Sequence, residues 1–153
     1  MMTNTKTITV RLLPISLAAA GTLLVGCSTT SVPIDQATPA PVGRVMLNQQ
    51  SGPDLGRLIV VRDSGMIGAG CYATVFIDGK RAARLGTKEK VTFYLTSGEH
   101  LLGAALEGAG LCAANPGKRE RDVMIKLGQP KVYRVFTSQS GDLDVLPTSG
   151  SPD

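Results

Sequence analysis

Short apolar runs alternate with Gly, Pro or Asp turns from Arg57 onward, at a spacing of about ten residues that is typical of all-β domains. No segment keeps a helical period over ten or more residues. The pattern predicts seven or eight short strands, over 57–63, 72–77, 81–85, 90–95, 99–106, 121–127, 131–137 and 143–146. So many short strands in one small domain favour an antiparallel β-sandwich, immunoglobulin-like or transthyretin-like, over a small barrel.

Local patterns indicate how these strands are placed. Residues 57–63 are apolar on both faces, which is typical of a central strand. Asp78-Gly79 predicts a tight hairpin turn, because both residues tolerate the positive φ of a type I′ turn. Two strands alternate clearly, and their predicted inward positions are Val91, Phe93 and Leu95 in one strand and Val123, Ile125 and Leu127 in the other.

The first 26 residues have the pattern of an export signal. Lys6 and Arg11 give a positive start, and the apolar run that follows is shorter than the roughly 20 residues of a transmembrane helix. The run ends in Leu24-Val25-Gly26-Cys27, which resembles the lipobox of bacterial lipoproteins. This resemblance implies cleavage between Gly26 and Cys27, attachment of a diacylglyceryl group to the Cys27 thiolate, and acylation of the freed amine.

The residues after Cys27 bear on where the protein is held. In enterobacteria an aspartate directly after the lipidated cysteine tends to retain lipoproteins at the inner membrane, so Ser28 implies the outer membrane, facing the periplasm. A stretch rich in Pro, Thr and Ser predicts a flexible tether over 27–41, followed by the sandwich domain over 42–147 and a disordered tail over 148–153. Residues 44–47 are apolar enough to dock on the domain, either as an edge strand or as a helical turn.

Charge and composition narrow the possible partners only slightly. The chain has 16 basic and 12 acidic residues, and loss of Lys6 and Arg11 with the signal leaves 14 basic residues. Such a small excess does not favour nucleic acid as a partner, because nucleic-acid-binding domains usually carry a clear basic excess on one face. The remaining composition indicates a globular domain and no cofactor.

Cys71 and Cys112 are the two cysteines that remain once Cys27 is acylated. Outside the cytoplasm, two lone cysteines in one small domain most often pair, which predicts a disulfide between two glycine-rich loops. A metal site lacks ligands, since His100 is the single histidine of the chain. A redox role usually comes with a Cys-x-x-Cys spacing, which this pair does not have.

The mature chain also resembles a family of uncharacterised proteobacterial lipoproteins. The features that carry the resemblance, over residues 42–147, are Val61-Arg62-Asp63-Ser64-Gly65, Gly68-Ala69-Gly70-Cys71, Asp78-Gly79-Lys80, Glu89-Lys90-Val91-Thr92-Phe93-Tyr94, Gly98-Glu99-His100, Leu111-Cys112 and Tyr133-Arg134. The resemblance implies a PEGA-like or transthyretin-like β-sandwich and a place in the cell envelope. In such relatives the turn before the histidine is often Pro-Gly, whereas this chain has Ser97-Gly98. The family has no established activity, so the resemblance leaves function open.

No catalytic motif stands out in the sequence. Ser64, His100 and Asp63 are the residue types of a catalytic triad, but a triad is defined by geometry, and the sequence contains neither G-x-S-x-G nor H-E-x-x-H. The glycine-rich run 65–70 lacks the Lys-Ser/Thr of a phosphate-binding loop. We therefore expect that the protein is not an enzyme.

Two groups of charged residues have both a structural and a functional interpretation. Lys80, Arg81, Arg84, Lys88 and Lys90 crowd one hairpin, where they would either protect an edge strand from aggregation or meet phosphates and carboxylates of the envelope. Arg134 falls on the same strand face as Val132 and Phe136, and Asp63 is a candidate partner for it. The structural interpretation, edge protection and an ion pair, is favoured in each case.

These expectations combine into a membrane-anchored cell-envelope lipoprotein that acts by contact with an envelope protein or with peptidoglycan. Two alternatives stay open. One is a periplasmic lysozyme inhibitor, by analogy of fold and size, which should block lysozyme as a pure soluble domain. The other is an accessory lipoprotein of a secretion or transport complex, which should co-purify with that complex after crosslinking.

Overall fold

The computed structural model describes residue 1, residues 29–113 and residues 117–149. Apart from Met1, the predicted export signal over 1–26 lies outside the described residues, as do the predicted cleavage position Gly26–Cys27 and the predicted lipid attachment at Cys27. Residues 150–153 of the predicted tail lie outside them too. Of the predicted disordered tail, Thr148 and Ser149 are described, and the Thr148 N–H donates a hydrogen bond to the Val132 carbonyl. Among the described residues, no helix has both the length and the apolar character that crossing a membrane requires.

In the described residues, nine strands form two sheets that pack face to face. The strands are β1 (Thr38–Pro39), β2 (Leu55–Arg62), β3 (Tyr72–Ile77), β4 (Lys80–Leu85), β5 (Glu89–Thr96), β6 (Gly98–Glu107), β7 (Arg119–Ile125), β8 (Lys131–Thr137) and β9 (Leu143–Pro147). One sheet has the order β1-β5-β2-β8-β9, and the other has the order β4-β3-β6-β7. Most neighbouring strands are antiparallel, and β1–β5 and β2–β8 are the parallel pairs. The predicted all-β sandwich is confirmed.

The main core lies between the two sheets. Leu58 and Val60 of β2 meet Phe93 of β5 on the inner face of one sheet, and Val75 and Leu102 are fully buried on the inner face of the other. Inward alternation over β7 stops at Ile125, where the strand ends, so Leu127 is half exposed and its predicted inward position is wrong.

The segment 29–41 packs on the outer face of the β2 sheet. Ala37 is buried there against Ile59 and Val61 of β2, with Val32 and Ile34 packed beside them. Thr38–Pro39 extends the sheet as β1, parallel to β5. The sequence predicts a flexible tether here, and from Thr29 onward the structure differs. The apolar outer face of β2 explains the difference, because burying it against this segment is more favourable than leaving it in water.

The next segment closes the open side of the sandwich. A 3-10 turn at Val42–Arg44 precedes a bridge between Val45 and Ala83 of β4, and the Met46 N–H donates a hydrogen bond to the Ala82 carbonyl. Arg44 donates to Glu89 on β5 at 2.5 Å, so this segment joins the edges of both sheets. Residues 44–47 therefore dock as a turn followed by an edge bridge.

The strand directions give the molecule two ends. At one end, which we name the disulfide pole, lie the loops 63–71, 86–88, 108–113 and 138–142 together with Thr29. At the other end, which we name the cleft pole, lie the segment 46–54, the Asp78-Gly79 turn and the turns after β5 and β7. The ten residues of β6 run between the poles, a length of roughly 33 Å at about 3.3 Å per residue.

Candidate functional site

A disulfide between Cys71 and Cys112 joins the two long loops of the disulfide pole. The S–S distance is 2.03 Å, and the two Cα atoms are 5.5 Å apart. Residues 64–71 and 108–113 contain no charged side chain. Met66 is 93% exposed and Leu111 is 92% exposed, and both lie at the rim of a groove of about 610 Å³. These two loops thus expose apolar side chains and are joined covalently.

The buried Arg62 holds the first of these loops in place. Its guanidinium donates hydrogen bonds to three backbone carbonyls, at 2.7 Å to Gly68, 2.6 Å to Cys71 and 2.7 Å to Leu85. Burial lowers the pKa of Arg62 to about 10, so the group remains charged at neutral pH. Three carbonyl dipoles, with the charge of Glu89 nearby, take the place of water around this cation.

Asp63 and Arg134 are brought together at the same pole. Arg134 Nε donates to Asp63 Oδ1 at 3.2 Å, and Arg134 Nη2 donates to Asp63 Oδ2. Burial raises the pKa of Asp63, and hydrogen bonds from Arg134 and Thr29 offset part of that rise. The Thr29 hydroxyl donates to Asp63 at 3.2 Å and accepts the Thr137 N–H at 3.1 Å. The ion pair therefore also fastens the N-terminal segment.

Replacing Arg134 by methionine should lower the free energy of unfolding by about 2 kcal/mol. This is less than the roughly 3–5 kcal/mol of a fully buried pair, because the Arg134 side chain keeps 26% of its surface exposed. The double variant Asp63→Asn, Arg134→Met should recover more than half of that loss, since it leaves no unpaired charge. Urea unfolding of the three proteins measures both values, and a double variant less stable than Arg134→Met would contradict the explanation.

The cleft pole carries a cleft of about 740 Å³, lined by both apolar and polar side chains. Its walls come from the segment before β2 and from the ends of β3 and β5, and its polar lining includes Asn48, Gln49, Gln50, Ser51, Asp78, Lys80, Tyr94, Thr96 and His100. Amide, hydroxyl, ammonium and aromatic groups together suit a polar ligand with many hydroxyl and amide groups, because each such group needs a hydrogen-bonding partner when water is displaced.

His100 lies on β6 in the wall of this cleft, within a hydrogen-bonded pair. Its Nδ1 is 2.8 Å from Asp78 Oδ2, and its Nε2 is 3.0 Å from the Thr96 carbonyl oxygen. Burial alone would lower the pKa of His100, but the hydrogen bonds to Asp78 and Thr96 outweigh burial and raise it. Two acceptors, one at each ring nitrogen, fit the doubly protonated imidazolium.

Protonated His100 should stabilise the fold, and this contribution should decline as pH rises. Because the folded-state pKa is raised above 6.5, the stabilisation is fully present below pH 6.5 and is lost as pH passes through the folded-state value. The chain has one histidine, so an NMR titration reports this pKa without ambiguity. A folded-state pKa at or below 6.5 would contradict the prediction, and His100→Gln should remove this part of the pH dependence of urea unfolding.

The residue types of a catalytic triad are not assembled. Asp63 and Ser64 lie at the disulfide pole, whereas His100 lies at the cleft pole with Asp78 as its partner. Within residues 29–113 and 117–149, no three His, Cys, Asp or Glu side chains lie close enough to hold a metal ion. The three residue types that the sequence offered as a triad are therefore divided between the two poles.

The basic residues of the hairpin do not form one patch. β4 is an edge strand, and its Arg81 pairs with Glu107 at 2.7 Å while Arg84 lies over the Tyr72 ring. Lys90 belongs to the other sheet, where its ammonium donates to the Ile34 carbonyl at 2.7 Å. This distribution fits the interpretation in which edge cations discourage strand-to-strand aggregation.

No protein-family model matches this chain, and no curated protein is found to be similar to it.

Proposed function

We propose that the protein is a lipid-anchored, non-enzymatic binding module of the cell envelope, held at the outer membrane and facing the periplasm. The observation that carries the proposal is the attachment of Thr29 to the disulfide pole, because Thr29 comes two residues after Cys27, the proposed lipidation residue. The Cys71–Cys112 disulfide supports it as well, since disulfides persist in oxidising compartments such as the periplasm.

The short distance along the chain from Cys27 to Thr29 bears on how the domain would be held. Two residues span at most about 7 Å, so the disulfide pole would lie against the bilayer rather than swing on a long tether. The cleft at the other pole would then face away from the membrane. For its ligand we propose peptidoglycan, whose sugar hydroxyls, amides and carboxylates match the amide side chains, the Lys80 ammonium and the Tyr94 ring of the cleft.

Palmitate labelling in intact bacteria tests the anchor. The wild-type protein should incorporate labelled palmitate, and Cys27→Ser should not. The double variant Cys71→Ser, Cys112→Ser is the matched control, because it also removes thiol positions but should keep its label. An unlabelled wild-type protein beside labelled control lipoproteins would contradict the proposal.

Sedimentation with purified peptidoglycan tests the cleft. The mature wild-type protein should sediment with the polymer, and Tyr94→Ala should weaken binding about tenfold, as expected when a stacking aromatic contact is lost. Tyr72→Ala is the matched control, because Tyr72 lies at the disulfide end of β3, away from the cleft. Failure of the wild-type protein to sediment would contradict a peptidoglycan ligand, and crosslinking in cells would then identify a protein partner.

A further inference from the structure

Two large apolar side chains of the disulfide pole are left uncovered by the described part of the chain. Met66 and Leu111 expose more than nine-tenths of their surfaces, and the two loops that carry them, 64–71 and 108–113, have no charged side chain. The charged residues Lys88 and Asp142 of this pole lie on the other two loops, 86–88 and 138–142. An exposed apolar patch carried by uncharged loops is typical of a surface that is covered in use.

The chain toward Cys27 leaves the domain beside these loops. The Thr30 N–H donates to the Ser64 carbonyl at 2.7 Å, and Ser64 N–H donates back to the Thr30 carbonyl at 3.0 Å. Gly65 lies so close that a Cβ added there would come within 2.8 Å of the Thr29 methyl group. Thr29 therefore lies directly beside the loop that carries Met66.

We propose that Met66 and Leu111 enter the interfacial region of the bilayer and form a second, non-covalent membrane contact. The inference rests on the proposed lipidation of Cys27, which would place the acyl chains within about 7 Å of Thr29. Since Thr29 is fastened between the Ser64 loop and Thr137, a bilayer reached by those acyl chains would lie next to the Met66 loop. A lipid surface is thus the occupant that the position of the anchor favours.

The two loops are already held in one conformation before they would contact a membrane. The disulfide joins them, and Arg62 holds Gly68 and Cys71 by their carbonyls. Little conformational entropy is lost when a surface that is already ordered inserts its side chains into a bilayer. The contact sets the orientation of the domain, with β6 directed away from the membrane and the cleft about 33 Å from the lipid surface.

Single tryptophan probes test the contact, because the natural chain has no tryptophan. Full-length lipoproteins carrying Met66→Trp, Leu111→Trp or Leu127→Trp are purified, their acylation is verified by mass, and each is reconstituted into phosphatidylethanolamine–phosphatidylglycerol vesicles containing brominated lipid. Bromine quenches only tryptophans that reach the acyl region. Met66→Trp and Leu111→Trp should lose at least about half of their fluorescence, as expected for side chains buried several Å below the headgroups.

Leu127→Trp is the control, since Leu127 is exposed and lies at the cleft pole, and its fluorescence should change little. All three positions lie on exposed surface, so folding is not at risk, and thermal unfolding verifies it. Equally weak quenching at all three positions in acylated, vesicle-bound protein would overturn this inference alone. Absence of the acyl chains in the mass measurement would overturn the proposed function instead.

Discussion

Replacing Cys71 and Cys112 together by serine should lower the free energy of unfolding by about 4 kcal/mol. The bond closes a loop with a sequence separation of 41 residues, and on the chain-entropy model a cross-link of this span removes that much freedom from the unfolded chain. The loops of the disulfide pole should lose their order first, because the sheets keep their own hydrogen bonds and their shared core. Loss of the Arg62 guanidinium is expected to lower the free energy of unfolding by a similar amount.

Urea unfolding with and without reductant measures this loss, and hydrogen exchange locates it. Reduction of the wild-type protein should reproduce the stability of the double serine variant, while reductant should leave that variant unchanged. Exchange should quicken in 64–71 and 108–113 and stay slow in β2 and β5. A loss below about 1 kcal/mol would show that the bond does little to constrain the unfolded chain.

The strands could be predicted well because each is bounded by local signals. Tyr72–Ile77 and Lys131–Thr137 are observed with the predicted bounds, since Asp78-Gly79 ends the first and Gly128-Gln129-Pro130 precedes the second. Period-two alternation failed only where it was continued beyond the end of a strand, at Leu127. The wide separation of His100 from Asp63 and Ser64 depends on sheet topology, which local patterns do not contain.

The N-terminal segment illustrates why a non-local contact escaped prediction. Its Pro, Thr and Ser content is that of a linker, and its three apolar contributors, Val32, Ile34 and Ala37, have no period of their own. They pack because β2 offers an apolar outer face. The apolar character of both faces of residues 57–63 indicated that something would cover the outer face. It did not identify which segment of the chain would do so.

The role of Arg62 was missed for a related reason. Arg62 ends an apolar strand, and this position indicated that it is buried. The sequence pattern pointed instead to an ion pair between the neighbouring Asp63 and Arg134. The carbonyls that Arg62 binds belong to Gly68, Cys71 and Leu85, which are 6, 9 and 23 residues away along the chain. Carbonyl groups are the same in every residue, so no side-chain pattern identifies them as partners of a cation.

Replacing Arg62 by methionine should lower the free energy of unfolding by about 4 kcal/mol. Methionine fills much of the same volume but cannot donate, so three carbonyls lose their partner, and each buried acceptor left unpaired costs about 1–3 kcal/mol. Arg62→Lys should cost nearly as much, because one ammonium on a flexible stem does not reproduce the planar guanidinium that reaches all three oxygens.

Arg57→Met is the matched control, because Arg57 lies on the same strand with its side chain exposed. The free energy of unfolding of this variant should stay within about 0.5 kcal/mol of the wild-type value. Chemical denaturation of the four proteins gives the comparison. In the oxidised Arg62→Met protein, amide hydrogen exchange should quicken at Gly68 and Cys71 even though the disulfide is intact. The disulfide restrains one end of that loop, whereas the guanidinium restrains its middle. If Arg62→Met and Arg57→Met were equally stable, the buried guanidinium would not be what orders the disulfide pole.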